Sequence, residues 1–181
     1  MKILKTKFKG LLVLKGSTHH DQRGYFRELF KKKYIKKKLI FDYLSLSKKN
    51  VVRGIHIQLK NPQAKLISVF SGKIFDVVLD CRKKSTTFGK YFKIYMSDKD
   101  NISLYIPEGF AHGFCSLSSN SIIHYKCSSY RDKKSETGII WNDKNLKINW
   151  PIKQPIISSK DKKNYKFLDF LDYKKFKKIK W

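Results

Sequence analysis

Four short clusters hold the residues of this 181-residue chain whose types and spacing could do chemistry: 21–28 (DQRGYFRE), 52–58 (VRGIHIQ), 107–114 (PEGFAHGF) and Tyr125-Lys126. Imidazole titrates in the neutral range, so a histidine such as His56 suits moving protons, provided an acceptor orients its ring. A carboxylate as remote as Asp161 could fold back to supply that acceptor. Lys65 puts a positive charge into an otherwise apolar run, Ala64-Lys65-Leu66-Ile67. Inside a barrel, one such donor typically stabilises a developing oxyanion by ~3–4 kcal/mol. The phenol of Tyr125 can deliver a proton from the far side of a substrate, although a strand aromatic in the core is the plainer reading. A metal site would need three converging imidazole or carboxylate ligands. Gln58 stands two residues after His56, no Glu follows before Lys65, and His19 and His20 are adjacent, so in a strand they face opposite sides. These residues favour acid–base chemistry without a metal.

The elements that must position them read mostly as β-structure. Residues 50–57, 64–70, 73–80, 90–96, 102–106, 114–117 and 121–127 are short runs rich in β-branched and aromatic side chains. Turn signals at Ser71-Gly72, Ser97–Asp100, Glu108-Gly109 and Ser118–Asn120 separate them. Many short strands at this spacing predict an antiparallel sandwich or barrel. Residues 11–14 and 24–30 are expected to form an N-terminal hairpin flanking Thr18-His19-His20-Asp21. Residues 31–38 (KKKYIKKK) are expected to form one surface helix, and a short terminal helix is expected near 167–176. No repeat or linker divides the chain, so residues 1–181 are expected to form a single domain. Strands outside the barrel need pairing partners, which makes a homodimer the expected assembly.

Composition bounds the partners. The formal net charge is +27, yet only five of the 41 basic residues are arginine (Arg23, Arg27, Arg53, Arg82 and Arg131). Nucleic-acid readers lean on arginine for bidentate contacts, so scattered lysine predicts a charged surface and no nucleic-acid partner. That positive field could still attract a small anionic substrate. No apolar run approaches the ~20 residues of a membrane span, and residues 1–10 lack the continuous apolar stretch of a signal peptide. A cytoplasmic protein with no membrane partner is the expectation. Cys81, Cys115 and Cys127 lack paired spacing and are expected to be buried, reduced thiols.

Taken in order, the clusters resemble the dTDP-4-dehydrorhamnose 3,5-epimerase family. The matching stretches are DQRGYFRELF, VVRGIHIQ, AKLISVFSGKIFDVVLDCR, YIPEGFAHGFCSLS, YKCSSY and ETGIIWNDKNLKINWP followed by SSKD. The resemblance runs from about Phe8 to Leu168 and implies an all-β cupin jelly-roll barrel, with N-terminal strands and a short C-terminal helical segment. It implies a homodimer acting on a dTDP-linked 4-keto-6-deoxy sugar without metal or other cofactor. It makes His56 the base, Asp161 its orienting partner, Lys65 the stabiliser of the enolate oxygen and Tyr125 the acid. Arg53 would bind near the diphosphate or sugar, Ser45 and Ser47 near the sugar and phosphates, and Gln58 and His112 would complete the substrate contacts. Arg23, Phe26 and Glu28 would contact the nucleotide across the subunit interface, and Tyr130 would line its nucleotide end.

The chain departs from the family pattern at two places. Ile57 stands where Tyr is common, and Phe41-Asp42-Tyr43 stands where Gln-Asp-Asn is usual. A site that loses amides changes its preference, so the departures bear on the sugar and on whether C3, C5 or both are inverted. Two alternatives share the scaffold: a 3,4-ketoisomerase, and a non-catalytic module that binds nucleotide sugars.

Overall fold

Two faces of apolar residues alternate along β8 (Lys73–Asp80): Ile74 and Val78 join one core cluster, Phe75, Val77 and Leu79 another. A strand buried on both sides belongs inside a layered sheet structure. The structure, a computed structural model describing residues 1–179, is built that way. One sheet has the order β1 (Lys2–Lys5), β2 (Leu12–Lys15), β10 (Ile102–Ile106), β7 (Lys65–Ser71), β12 (Asn120–Cys127), β5 (Phe41–Lys48). The other has β13 (Glu136–Gly138), β6 (Val52–Gln58), β11 (Phe110–Ser116), β8, β9 (Tyr91–Ser97). From β5 to β12 the chain crosses between sheets at every step except β8 to β9, which is the antiparallel jelly-roll barrel of a cupin.

The barrel interior is filled by Ile67, Val69, Ile74, Val78, Leu104, Phe114 and Ile123. The outer face of the second sheet is covered by the C-terminal segment, which brings Trp150, Phe167, Phe170 and Phe176 against β6, β8 and β11. Parallel bridges Val51–Ile156 and Ile139–Tyr165 tie that segment to the sheet edge. This return of the chain is what carries Asp161 back to β6.

Several local expectations need correction. Residues 31–38 do not form one helix: a single 3-10 turn spans Lys32–Tyr34, and Ile35 is buried with Leu14 and Leu66. Six lysines on two helical turns repel one another, and docking Ile35 opposes a freely solvated helix. The N-terminal hairpin is also different. Leu12–Lys15 pairs with β1 and β10, while the hairpin joins β3 (Thr18–Asp21) to β4 (Gly24–Arg27). The terminal helix is broken at Tyr173 into α1 (Phe167–Asp172) and α2 (Lys174–Lys177). β11 begins at Phe110 rather than Phe114, and β1, β5 and β13 were absent from the sequence expectation. All three cysteines are buried and unpaired, with Cys81 just past the end of β8. Among the described residues no helix is long and apolar enough to cross a membrane.

Candidate active site

The site starts from an irregularity in β6. Residues three apart on a regular strand face opposite sides of the sheet. Against β11, however, His112 pairs with His56 while Phe114 pairs with Arg53, so β6 carries one extra residue. That bulge turns both Arg53 and His56 toward one cleft of about 700 Å³. Gly54 makes it possible. Its φ is +112°, and an added Cβ would lie 2.6 Å from the His112 carbonyl oxygen and 2.7 Å from Gly113 Cα. Only glycine meets both conditions at little cost.

The returning C-terminal segment completes this wall. Asp161 Oδ1 lies 2.6 Å from His56 Nε2, and the Gly54 backbone N–H donates to Asp161 Oδ2 at 3.1 Å. Burial opposes the charge on Asp161, but the bonds from His56 and Gly54 outweigh it and hold the carboxyl below its usual range. The Asp161 N–H in turn donates to Ser158 Oγ at 3.0 Å. Both carboxylate oxygens are thus fixed, and with them the plane of the imidazole.

The opposite wall belongs to the first sheet. Tyr125 on β12 and Lys65 on β7 both line the cleft. Burial raises the Tyr125 phenol well above its ordinary range, and Ser45 Oγ donates to Tyr125 Oη at 3.5 Å. Burial also lowers the Lys65 ammonium from its usual range, and Lys65 makes no ion pair among the described residues. At the back of the cleft, His112 is buried and bonded through Nε2 to Asp76 Oδ2 at 2.8 Å.

Other predicted residues have more indirect places. Arg53 Nε donates to Ser47 Oγ at 2.9 Å, so the buried Ser47 braces the guanidinium from behind instead of lining the cleft. Gln58 lines the cleft, yet its amide nitrogen donates to the Asn61 and Tyr130 carbonyls and its oxygen accepts the Asp132 N–H. It holds the 128–132 loop. Tyr130 is 68% exposed, with its ring edge-on to Phe41 at 5.6 Å. Arg23, Phe26 and Glu28 are not brought to the cleft. Phe26 is 71% exposed on the β3–β4 hairpin, Arg23 pairs with Asp21 and Glu28 with Lys31. Ile57 is buried in the outer cluster and also borders the cleft, so this departure bears both on packing behind the wall and on the cleft lining. Phe41 and Tyr43 line the cleft too.

Sequence reasoning missed Asp76, Glu136, Arg131 and Lys160. Glu136 bonds Arg131 Nε at 2.6 Å and Lys160 Nζ at 2.5 Å, and all three line the cleft. Burial works against the Glu136 charge, but these two cations and His56 outweigh it and pull the carboxyl down to about 2. A signal for Asp76 was present: a carboxylate in the apolar run IFDVVLD, on the same side of the strand as Ile74 and Val78. Glu136 opens the ETGIIWND stretch, but a three-residue strand carries no periodicity that would assign it to the cleft.

An oriented imidazole on one wall, with a half-buried ammonium and a buried phenol on the other, can remove a proton beside a carbonyl, hold the oxyanion and return a proton from the far face. Comparisons with known proteins agree. The family model described as dTDP-4-dehydrorhamnose 3,5-epimerase matches residues 5–169. A dTDP-4-dehydrorhamnose 3,5-epimerase of Shigella flexneri is 40% identical over 176 residues, covering 93% of this chain and 97% of the relative. The crystal structure of a dTDP-6-deoxy-D-glucose-3,5-epimerase from Legionella pneumophila Philadelphia 1, in complex with dTDP-4-keto-L-rhamnose, superposes with a TM-score of 0.87 at 36% identity, covering 91% of each chain. A 4-keto-6-deoxy sugar epimerase from the novobiocin gene cluster of Streptomyces spheroides gives 0.90 at 30% identity, covering 95% of this chain and 90% of that one. With nearly its whole length and its barrel matched, the chain belongs to the dTDP-4-dehydrorhamnose 3,5-epimerase family, and its activity is that of an isomerase.

Proposed function

We propose that the protein inverts C3 and C5 of a dTDP-linked 4-keto-6-deoxyhexose, as a step toward dTDP-L-rhamnose. The observation that carries this reading is the His56–Asp161 dyad, at 2.6 Å, across one cleft from Lys65 and Tyr125. Asp161 accepts the Nε2 proton, so the lone pair of the imidazole is on Nδ1, where it takes the proton from the carbon beside the ketone. The enolate oxygen meets the Lys65 ammonium. That counter-charge offsets the hydration Lys65 loses on burial. Tyr125 then protonates the carbon from the opposite face, and burial keeps the phenol in its protonated form until that moment. Arg53, with Ser45 nearby, takes the sugar or diphosphate. No cofactor takes part in these steps.

The solved complex of the Legionella relative supports the substrate class. Arg23, Phe26 and Glu28 act on the nucleotide bound to a second subunit, which accounts for their distance from the chain's own cleft. An apolar patch supports the dimer: Leu44 and Leu46 on the edge strand β5 are 59% and 55% exposed. An unpaired apolar edge of this kind is normally covered. Contiguous cores through both sheets support one catalytic domain, and three unpaired buried thiols support a reducing, cytoplasmic setting.

NMR of dTDP-4-keto-6-deoxyglucose incubated with the protein in D₂O tests the function. Deuterium is expected at both C3 and C5 with inversion, and His56→Ala should abolish it. Exchange at one carbon would reduce the assignment to a single-site epimerase. A keto group moved to C3 would replace it with a ketoisomerase, and no exchange by a folded protein would exclude this substrate.

A further inference from the structure

The wall that carries Tyr125 holds a second phenol with no part in the chemistry above. Tyr43 and Tyr125 are register partners on β5 and β12. Their rings lie 4.5 Å apart and only 11° from parallel. Tyr43 is in turn backed by Phe41, with centroids 5.6 Å apart at 38°. On its other side Tyr125 meets the edge of the His112 ring, at 6.3 Å and 69°. The tyrosine χ2 well is broad, so a ring on an open barrel wall can tilt unless its neighbours hold it. The one hydrogen bond to the phenol oxygen, from Ser45, is at the long limit of 3.5 Å. The structure therefore fixes Tyr125 by its ring plane more than by its oxygen, and the surface that fixes the plane is Tyr43.

We propose that Tyr43 is a positioning residue for the acid: its stacked ring sets where Tyr125 Oη stands against the enolate carbon, and so decides how each enolate is resolved. The inference rests on the reading of Tyr125 as the acid and His56 as the base. Once the base has taken the carbon-bound proton, the enolate carbon–carbon electron pair has two sources for a new one. It can take the Tyr125 proton on the opposite face, which restores the ketone, inverts the carbon and leaves a phenolate. Alternatively, it can take a proton back from the His56 imidazolium, which restores the ketone with retention. If that imidazolium has first exchanged with D₂O, the return leaves deuterium at an uninverted carbon. Loosening Tyr125 slows only the first route.

The test is the partition between deuterated, uninverted sugar and inverted product in D₂O, for the wild type, Tyr43→Ala and Tyr43→Phe. Tyr43→Ala should keep the His56-dependent exchange while the inverted product falls about three- to tenfold, the range a lost aromatic stack predicts. Tyr43→Phe keeps a flat ring and should restore the wild-type partition. Tyr43→Leu, which fills the space without a flat ring, should match the alanine variant and serves where the alanine cavity unfolds the barrel. Equal losses of exchange and inversion, or an unchanged partition, would overturn the proposal, as would a phenylalanine variant that behaves like alanine. Failure of the parent reading looks different, because then the wild type itself exchanges no carbon-bound proton, and the inference falls with it.

Discussion

The chemistry of His56 is decided by one neighbour. Asp161 accepts a hydrogen bond from His56 Nε2 and so, in the proposed mechanism, selects the tautomer whose Nδ1 acts as base. Asp161→Asn should preserve the packing of residue 161 but offer an amide that can stabilise the wrong tautomer and does not compensate an imidazolium. Turnover is expected to fall about 10²- to 10⁴-fold. Steady-state kinetics with circular dichroism as a folding control checks this, and a variant within a few-fold of wild type would remove Asp161 from the dyad. Its own bonds also give Asp161 a place in acid stability. A carboxyl held below its unfolded value contributes stability above that value, which is lost as the pH falls through the folded one.

At the scale of elements, the cleft is closed by three segments that do not adjoin in sequence: β6, β13 and the C-terminal return. Glu136 on β13 joins them by bonding Arg131 in the preceding loop and Lys160 beside Asp161. Its carboxyl falls from 4.5 to about 2, so its contribution is full above pH ~4.5 and is lost as pH falls toward 2. Glu136→Gln should lower stability at neutral pH by about 1 kcal/mol, because both cations are half exposed and screened. It should also flatten the melting temperature between pH 4.5 and 2 relative to wild type; parallel curves for the two proteins would refute the linkage. Much of this framework was legible beforehand. β7, β8 and β12 carry apolar runs that read as strands, and the ordered motifs supplied His56, Lys65, Tyr125 and Asp161. β5 is not legible because its pattern is inverted: Tyr43 and Ser45 line the cleft while Leu44 and Leu46 stay exposed. A strand that lines a polar cleft inside and presents leucines outside defeats the rule that hydrophobic residues point inward. The start of β11 is not legible either, because the strand is buried throughout and so shows no alternation.

For the whole molecule, the proposed dimer would tie assembly to activity through the exposed face of β5. If Leu44 and Leu46 meet a second copy, the double variant Leu44→Lys, Leu46→Lys should sediment as a monomer while the barrel stays folded. Because Arg23, Phe26 and Glu28 would then reach no partner's cleft, KM for the nucleotide sugar should rise about tenfold or more, with a smaller effect on kcat. A wild type that sediments as a monomer at full activity would remove the dimer and return those three residues to the solvent. The net charge of +27 acts at the same scale: a long-range positive field of this kind favours the approach of an anionic substrate and weakens with added salt.

The extra residue in β6 has a consequence for how this site is encoded. Arg53 and His56 share a wall because of the chain's length at that point as well as its residue types. Removing Gly54 would leave the outline of the barrel and every other side chain named here, yet it would put the strand out of phase. Either the arginine or the histidine would then point into the apolar layer beneath the C-terminal segment. In this barrel, spacing along the strand is itself an active-site element, one that a list of matching residues does not record.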